Sequence, residues 1–201
     1  MEFGDAVRRR RSVRRFADRP IPEEVLTEIL EAGRLAPSGG NRQGFHFGVV
    51  TDGALRRELA GAAGGQDWIA TAPVVIAYCV ELSADLATLP PDDFAMQVNR
   101  DRFGQEFLDS VNALPDRATT RTLWDNGAAL IPGEHVHLAA AAHGLGSCWV
   151  GHLDIRRAGA VLGLPDDMVC LYLMPVGYPA EEPGEVSRRS LAECVFHDRW
   201  A

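Results

Sequence analysis

The first segment of the sequence with clear chemical potential is Arg10-Arg11-Ser12-Val13-Arg14. If this segment is extended, alternate side chains share a face, so Arg10, Ser12 and Arg14 point the same way. Two guanidinium groups and a hydroxyl on one face are suited to binding a phosphate or a carboxylate. A solvated basic terminus and a nucleic-acid-binding arm are alternative interpretations of the same residues.

Two glycine-rich segments could bring backbone N–H groups close to a planar ligand. The first is Ala36-Pro37-Ser38-Gly39-Gly40-Asn41-Arg42-Gln43, and the second is Gly144-Leu145-Gly146-Ser147-Cys148-Trp149-Val150-Gly151-His152. Each is equally compatible with an ordinary connection between secondary-structure elements. Their chemical interest therefore depends on what accompanies them in the same fold.

The charge of the chain is unevenly distributed. Residues 1–19 contain seven arginines and three acidic residues, about +4, whereas the whole chain carries a net charge of −8, which leaves about −12 for the remainder. An acidic body argues against nucleic acid as the main partner, so the basic segment is expected to bind something small. The chain has no lysine, and every fixed cation is therefore an arginine, the side chain best suited to gripping a phosphate in a bidentate manner.

Length and composition favour one globular domain spanning residues 1–201. No apolar run is long enough to cross a bilayer, and the N-terminus lacks the basic-then-apolar order of a secretory signal, so a cytoplasmic location without membrane association is expected. The four cysteines are far apart, and three lie in apolar stretches typical of buried thiols. Neither a disulfide framework nor a metal site is expected from this spacing.

The hydrophobic pattern predicts mixed α and β structure around these motifs. Apolar residues at helical spacing follow Pro22, and a continuous apolar run at 73–80 predicts a central strand buried on both faces. Pro132 is expected in the first turn of an alanine-rich helix, since proline is tolerated there. The predicted helices cover 3–11, 22–33, 52–63, 94–111, 135–143 and 154–163. The predicted strands cover 45–50, 73–80 and 169–176, and 147–151 is expected to be a short strand or a turn.

Taken in order, these motifs resemble the FMN-dependent nitroreductase family. The resemblance is carried by the arginine motif at 10–16, the loop at 36–43, the glycine segment at 144–151, Val176-Gly177-Tyr178-Pro179 and the closing Arg188-Arg189-Ser190-Leu191. It covers nearly the whole chain except 83–124. The resemblance implies an α+β fold, a three-layer sandwich with a central, mostly antiparallel sheet flanked by helices, in an intertwined homodimer. Residues 83–124 would form a variable active-site lid.

The resemblance also implies roles for individual residues. Arg10, Arg11, Ser12 and one or both of Arg188 and Arg189 would hold the FMN phosphate and ribityl chain, and Arg14 would lie near the pyrimidine edge of the ring. Pro37, Ser38, Gly39 and Asn41 would reach the flavin of the opposite subunit, and backbone groups of Val150 and Gly151 would meet the ring near N5. No side chain is expected to act as the catalytic group, because the flavin carries the redox chemistry.

The implied reaction passes hydride from NADH or NADPH through FMN to a small electrophile such as a nitroaromatic or a quinone. Three alternatives remain open from the sequence. Relatives with the same fold act as dehydrogenases or dehalogenases, or consume the flavin. A flavin-binding protein without turnover would keep the same arginine motif. A nucleic-acid-binding role is the third, against which the acidic remainder of the chain argues.

Overall fold

A computed structural model of the chain describes residues 2–82, 90–112, 117–184 and 186–199. Its helices and strands follow one another along the chain in the order that the sequence pattern predicts. The helices are α1 (Phe3–Arg9), α2 (Glu23–Arg34), α3 (Gly53–Ala62), α4 (Phe94–Asn112), α5 (Arg117–Ala142) and α6 (Ile155–Leu162), and the strands are β1 (Phe45–Val50), β2 (Val74–Glu81), β3 (Gly146–Ser147) and β4 (Met168–Gly177). Single 3-10 turns at Gly39–Asn41, Asp67–Thr71 and Leu191–Glu193 complete the set.

The four strands form one sheet in the order β1-β2-β4-β3, and each of its ladders is antiparallel. Strand β2 is central and is buried along its length except at Glu81, as its continuous apolar sequence predicts. Phe45 of β1 pairs with Val80 at one end of β2, and Val74 pairs with Val176 at the other. This register fixes which loops lie at each end of the sheet.

Helices cover both faces of the sheet. One core, which includes Val75, Ala77 and Leu173, packs under α3 and α6. The other, which includes Ile76 and Met174, packs under α2 and α5. Helix, sheet and helix therefore form three layers, and the predicted α+β sandwich is confirmed.

Short polar signals set the helix ends that flank the sheet. The Asp52 carboxylate accepts hydrogen bonds from the N–H groups of Ala54 and Leu55 at 2.8 and 2.9 Å, which caps α3. Asp154 caps α6 in the same way, and Gly163 ends that helix with φ 64°, a left-handed conformation that favours glycine. These caps confirm the predicted starts of both helices.

The alanine-rich helix differs from its prediction. It was expected over 135–143 with Pro132 in its first turn, but α5 begins at Arg117 and Pro132 lies inside it. A proline there cannot donate to the carbonyl one turn earlier, at Ala128. The helix continues because its buried face packs against the sheet, and the adjacent Gly133 lets the rings of Tyr78 and Trp149 approach its backbone. Tertiary packing thus outweighs the local cost of the proline.

The variable region contains α4, whose bounds agree with the helix predicted over 94–111. Gly104 interrupts its helical geometry with φ 81°. Residues 117–124 of this region form the start of α5, whereas 83–89 and 113–116 lie outside the described residues. The lid assignment therefore stays a prediction.

Candidate functional site

The arginine segment, residues 10–15, runs as extended chain along the edge of the sheet. Ser12 forms a parallel bridge with Ser147, and the Val13 N–H donates to the Ser147 carbonyl at 3.0 Å. The Val13 side chain is buried against Gly146, where a β-carbon would lie 2.6 Å from a Val13 methyl group. Because Val13 points inward, the residues on either side of it point outward. Ser12 and Arg14 are exposed, as the alternation in the sequence predicts.

This segment lines a cavity of about 530 Å³, which we name the arginine cavity. Its walls carry five arginines and two glutamates: Arg10, Arg11, Arg14, Arg15, Arg188, Glu181 and Glu182. The Ser12 hydroxyl lies in the same wall. The two basic motifs, far apart in sequence, therefore meet at one site.

Most of the positive charge in the arginine cavity is available to a ligand. Arg15 pairs with Glu181 at 3.2 Å on the exposed rim. Within the described part of the chain, Arg10, Arg14 and Arg188 have no ion pair with an acidic side chain. The Arg11 guanidinium donates only to the backbone carbonyls of Arg8 and Arg10. A site with this surplus of guanidinium groups and a hydroxyl suits a phosphate.

Cys148 lies beneath the arginine segment and adds no negative charge beside it. Its side chain is buried, and burial raises the pKa of the thiol above its usual value. The cation of Arg14 and a hydrogen bond with Ser12 oppose this effect on the pKa without cancelling it. The thiol therefore stays protonated at neutral pH.

Glu134 of α5 lies beside the arginine cavity, and none of the sequence motifs indicated it. Glu134 Oε2 accepts a hydrogen bond from Trp149 Nε1 at 3.2 Å and lies 3.4 Å from His137 Nδ1. Partial burial favours its neutral form, but the contacts with His137 and Trp149 and the charge of Arg10 outweigh burial and lower its pKa. The carboxylate faces a second cavity that also contains Arg10 and Arg188.

The predicted ring-contacting pair, Val150 and Gly151, follows directly along the same edge. The Val150 N–H donates to the Leu173 carbonyl at 2.9 Å and the Val150 carbonyl accepts from the Leu173 N–H at 3.1 Å, so the Val150 N–H is not available to a ligand. Gly151 is exposed, one residue beyond this bridge. Its backbone is therefore the better candidate of the two. The neighbouring His152 packs beside Gly64 at the end of α3.

The loop that contains Pro37, Ser38, Gly39 and Asn41 lies elsewhere in the subunit. It precedes Gly44, whose carbonyl accepts from the N–H of Glu81 at the end of β2. The arginine segment lies at the Val74 end, through Ser147 and Val176. The eight residues of β2 separate these ends by roughly 23 Å at the usual rise of a strand. One subunit therefore does not bring the loop and the arginine cavity together.

The loop itself has an ordered conformation. Gly40 and Asn41 both have φ 57°, in the left-handed region, and the Ser38 hydroxyl accepts from the Gln43 N–H at 3.0 Å. Of the four predicted ligand residues, Pro37, Gly39 and Asn41 are exposed and Ser38 is half-buried. They form a surface available to another molecule.

The two arginines of the closing motif differ in position. Both side chains are exposed, but Arg188 lines the arginine cavity and Arg189 does not contribute to its walls. The described part of the chain contains no group of three metal-ligating side chains that could hold a metal ion. Nor does any helix within it have the length and apolar character needed to cross a membrane.

Comparison with known proteins places this site in a family. The sequence profile described as "Nitroreductase family" matches residues 7–178, from the arginine segment to the end of β4. The chain belongs to the nitroreductase family. The match includes the loop at 36–43 and the glycine segment, so the resemblance inferred from these motifs is confirmed.

Individual proteins are similar to this chain over nearly its whole length. A protein from Thermus thermophilus named NADH dehydrogenase is 37% identical over 193 residues, which cover 95% of this chain and 93% of the relative. The NADPH-flavin oxidoreductase of Vibrio harveyi is 30% identical over 190 residues, 94% of this chain and 70% of the relative. The solved structure of the Vibrio harveyi NADPH:FMN oxidoreductase complexed with NAD+ superposes with a TM-score of 0.76, at 25% identity, and covers 99% of this chain and 78% of that one.

Proposed function

We propose that the protein is an FMN-dependent oxidoreductase that takes hydride from NADH or NADPH and delivers it to a small electrophile such as a nitroaromatic or a quinone. The observation that carries this proposal is the arginine cavity, in which the N-terminal arginine segment and Arg188 lie together. Within the described residues, Arg10, Arg14 and Arg188 have no ion pair with an acidic side chain. Membership of the nitroreductase family and relatives named for NAD(P)H and flavin support the same activity. When bound, FMN supplies the hydride acceptor and donor.

The FMN phosphate and ribityl chain are assigned to Arg10, Arg11, Ser12 and Arg188. Backbone from Ser147 to Gly151 then runs from the phosphate end of the site toward the ring end, over roughly 13 Å for four residues of extended chain. This order matches that of phosphate, ribityl chain and ring along FMN. Arg189 is not assigned to the phosphate, because it lies outside the cavity walls.

Arg14 is assigned to the pyrimidine edge of the ring. Its guanidinium carbon lies 5.7 Å from the centre of the Trp68 ring, which holds the arginine on the outer face of the sheet edge. A fixed cation at this edge stabilises the negative charge that develops on the ring during hydride uptake. The neutral thiol of Cys148 beneath it does not offset that charge.

We propose that the site is completed by a second copy of the chain. The loop residues Ser38, Gly39 and Asn41 precede β1 at one edge of the sheet, whereas the arginine cavity lies beside β3 at the other edge. The flavin in that cavity is therefore assigned to contact the loop of a partner subunit. An apolar groove of about 470 Å³ between α1, α2 and α5 offers an interface, and Phe3 at its edge is largely exposed. The lid over the acceptor is assigned to 83–124, and the location of the enzyme to the cytoplasm.

Steady-state kinetics test the activity. The rate of the holoenzyme is measured against NADH or NADPH at several fixed quinone concentrations. Parallel lines are expected in double-reciprocal plots, since the two substrates use one site in turn. Turnover that remains at background after reconstitution with FMN would contradict the proposal and would favour a flavin-binding protein without turnover.

Dilution of the protein to the monomer tests the shared site. Gel filtration monitors the oligomeric state and flavin fluorescence monitors the release of FMN, and a monomer that retains its FMN would exclude the shared site.

A further inference from the structure

Two cysteines that are far apart in the sequence face each other inside the sheet. Cys79 of β2 and Cys170 of β4 are direct partners in the antiparallel register. Both are buried, with 3% and 0% of their surface exposed, and both are free thiols. They belong to the core beneath α3 and α6, away from the arginine cavity.

An irregularity in the sheet creates this pairing. Tyr78 pairs with Tyr172, so a regular ladder would place Leu171 opposite Cys79. The register shifts at this point, and Cys170 takes that place instead. The shift also changes which face β4 presents, because Leu171 and Tyr172 both pack toward the α2 and α5 side while Cys170 packs toward the side of Cys79. The bulge thus brings the second sulfur to the first.

We propose that Cys79 and Cys170 form a reversible dithiol–disulfide pair. Directly opposed residues of an antiparallel sheet have α-carbons about 4.5–5.5 Å apart. That separation lies within the range of about 4.4–6.8 Å found in disulfides. The bond therefore requires rotation of the side chains and only a small adjustment of the strands.

The environment of the two thiols assigns them different roles. Contact with the Cys170 thiol lowers the pKa of Cys79 below its ordinary value, although burial acts in the opposite direction. The same contact and burial raise the pKa of Cys170. Cys79 is also the more accessible of the two, with 3% of its surface exposed against 0% for Cys170. We therefore assign Cys79 as the nucleophile and Cys170 as the resolving thiol.

We assign hydrogen peroxide as the oxidant, because it is small and needs no docking surface, whereas a larger oxidant could not reach thiols that are buried. The Cys79 sulfur attacks one peroxide oxygen, the O–O bond breaks, and the departing hydroxide takes the thiol proton to become water. The Cys170 sulfur then attacks the Cys79 sulfur, forming the S–S bond as the S–O bond breaks. The second hydroxide leaves with the Cys170 proton. Two thiols lose two electrons in total, and one peroxide becomes two waters.

Peptide mapping tests the pair without any substitution. Trypsin cleaves this chain only after arginine, and each cysteine lies in a different tryptic peptide: 58–100 for Cys79, 122–156 for Cys148, 158–188 for Cys170 and 190–199 for Cys194. The holoenzyme is treated with peroxide, alkylated under denaturing conditions, digested and measured by mass spectrometry. A linked 58–100/158–188 species is expected, and dithiothreitol should remove it. Its absence at a peroxide dose that fully oxidises the exposed Cys194 would overturn the proposal.

Variants and thermal unfolding extend the test. Cys194→Ser should leave the linked species unchanged, whereas Cys170→Ala should abolish it and leave Cys79 as a sulfenic acid that dimedone traps. Oxidised wild type should unfold at a higher temperature than reduced wild type, because the bond closes a long loop in the unfolded chain. A linked species in which either cysteine pairs instead with Cys148 or Cys194 would show that the register does not direct the reaction, and would refute the pair.

Discussion

Replacing Arg10 with alanine is expected to weaken FMN binding by roughly 10- to 100-fold. Arg10 is half-buried at the junction of two cavities and has no ion pair within the described residues, so its charge is available to the phosphate. A hydrogen bond to a charged group contributes about 1.5–3 kcal/mol, and each 1.4 kcal/mol corresponds to about tenfold in Kd. The remaining arginines of the cavity limit the loss to this range.

The assay is titration of the apoprotein with FMN, followed by quenching of flavin fluorescence. Two comparisons isolate the phosphate. Riboflavin lacks that group, so Arg10→Ala should change its Kd little. Arg15→Ala is the matched control, because Arg15 lines the same cavity but is already paired with Glu181. An Arg10→Ala protein that binds FMN with the wild-type Kd, or that loses FMN and riboflavin affinity equally, would refute the assignment.

Three further predictions test the cavity wall, the packing of the arginine segment and the contacts of Glu134. Arg188→Ala should raise the Kd for FMN severalfold while Arg189→Ala leaves it unchanged, and equal effects would show that the cavity wall is misassigned. Gly146→Ala should cost about 1–3 kcal/mol of stability, because the new methyl group overlaps a buried valine of the arginine segment, whereas Gly127→Ala, with open space around its α-carbon, should not lower the Tm in thermal unfolding. The pKa of Glu134 is lower in the folded protein than its ordinary value of about 4.5. Its contribution to stability is therefore present above about pH 4.5 and is lost as the pH falls further. Glu134→Gln should therefore lower the Tm at pH 7 more than at about pH 4, and a pH-independent difference would count against a stabilising role for the contacts with His137 and Trp149.

Much of the fold was predictable because its signals are local. Strand β1, the capped starts of α3 and α6, and the buried run of β2 each depend on a few adjacent residues, and the structure confirms them. The alternation around Val13 similarly predicted that Ser12 and Arg14 point outward together. The family resemblance then supplied the order of these parts, which no single motif contains.

The features that escaped the sequence depend on contacts between distant segments. Pro132 lies within α5 because that helix packs against the sheet, a term that local propensity does not include. Glu134 is held beside the site by its contacts with Trp149 and His137, and no sequence motif indicates these contacts. The Cys79–Cys170 pairing depends on a bulge in β4, and a one-residue shift of register cannot be read from an apolar run.

An anaerobic visible spectrum of the FMN-loaded protein, before and after addition of NADH or NADPH, tests the central claim most directly. The account predicts a flavin spectrum that bleaches with the nicotinamide and returns when a quinone is added. A protein that binds no flavin, or whose flavin stays oxidised in excess NADH and NADPH, would contradict it.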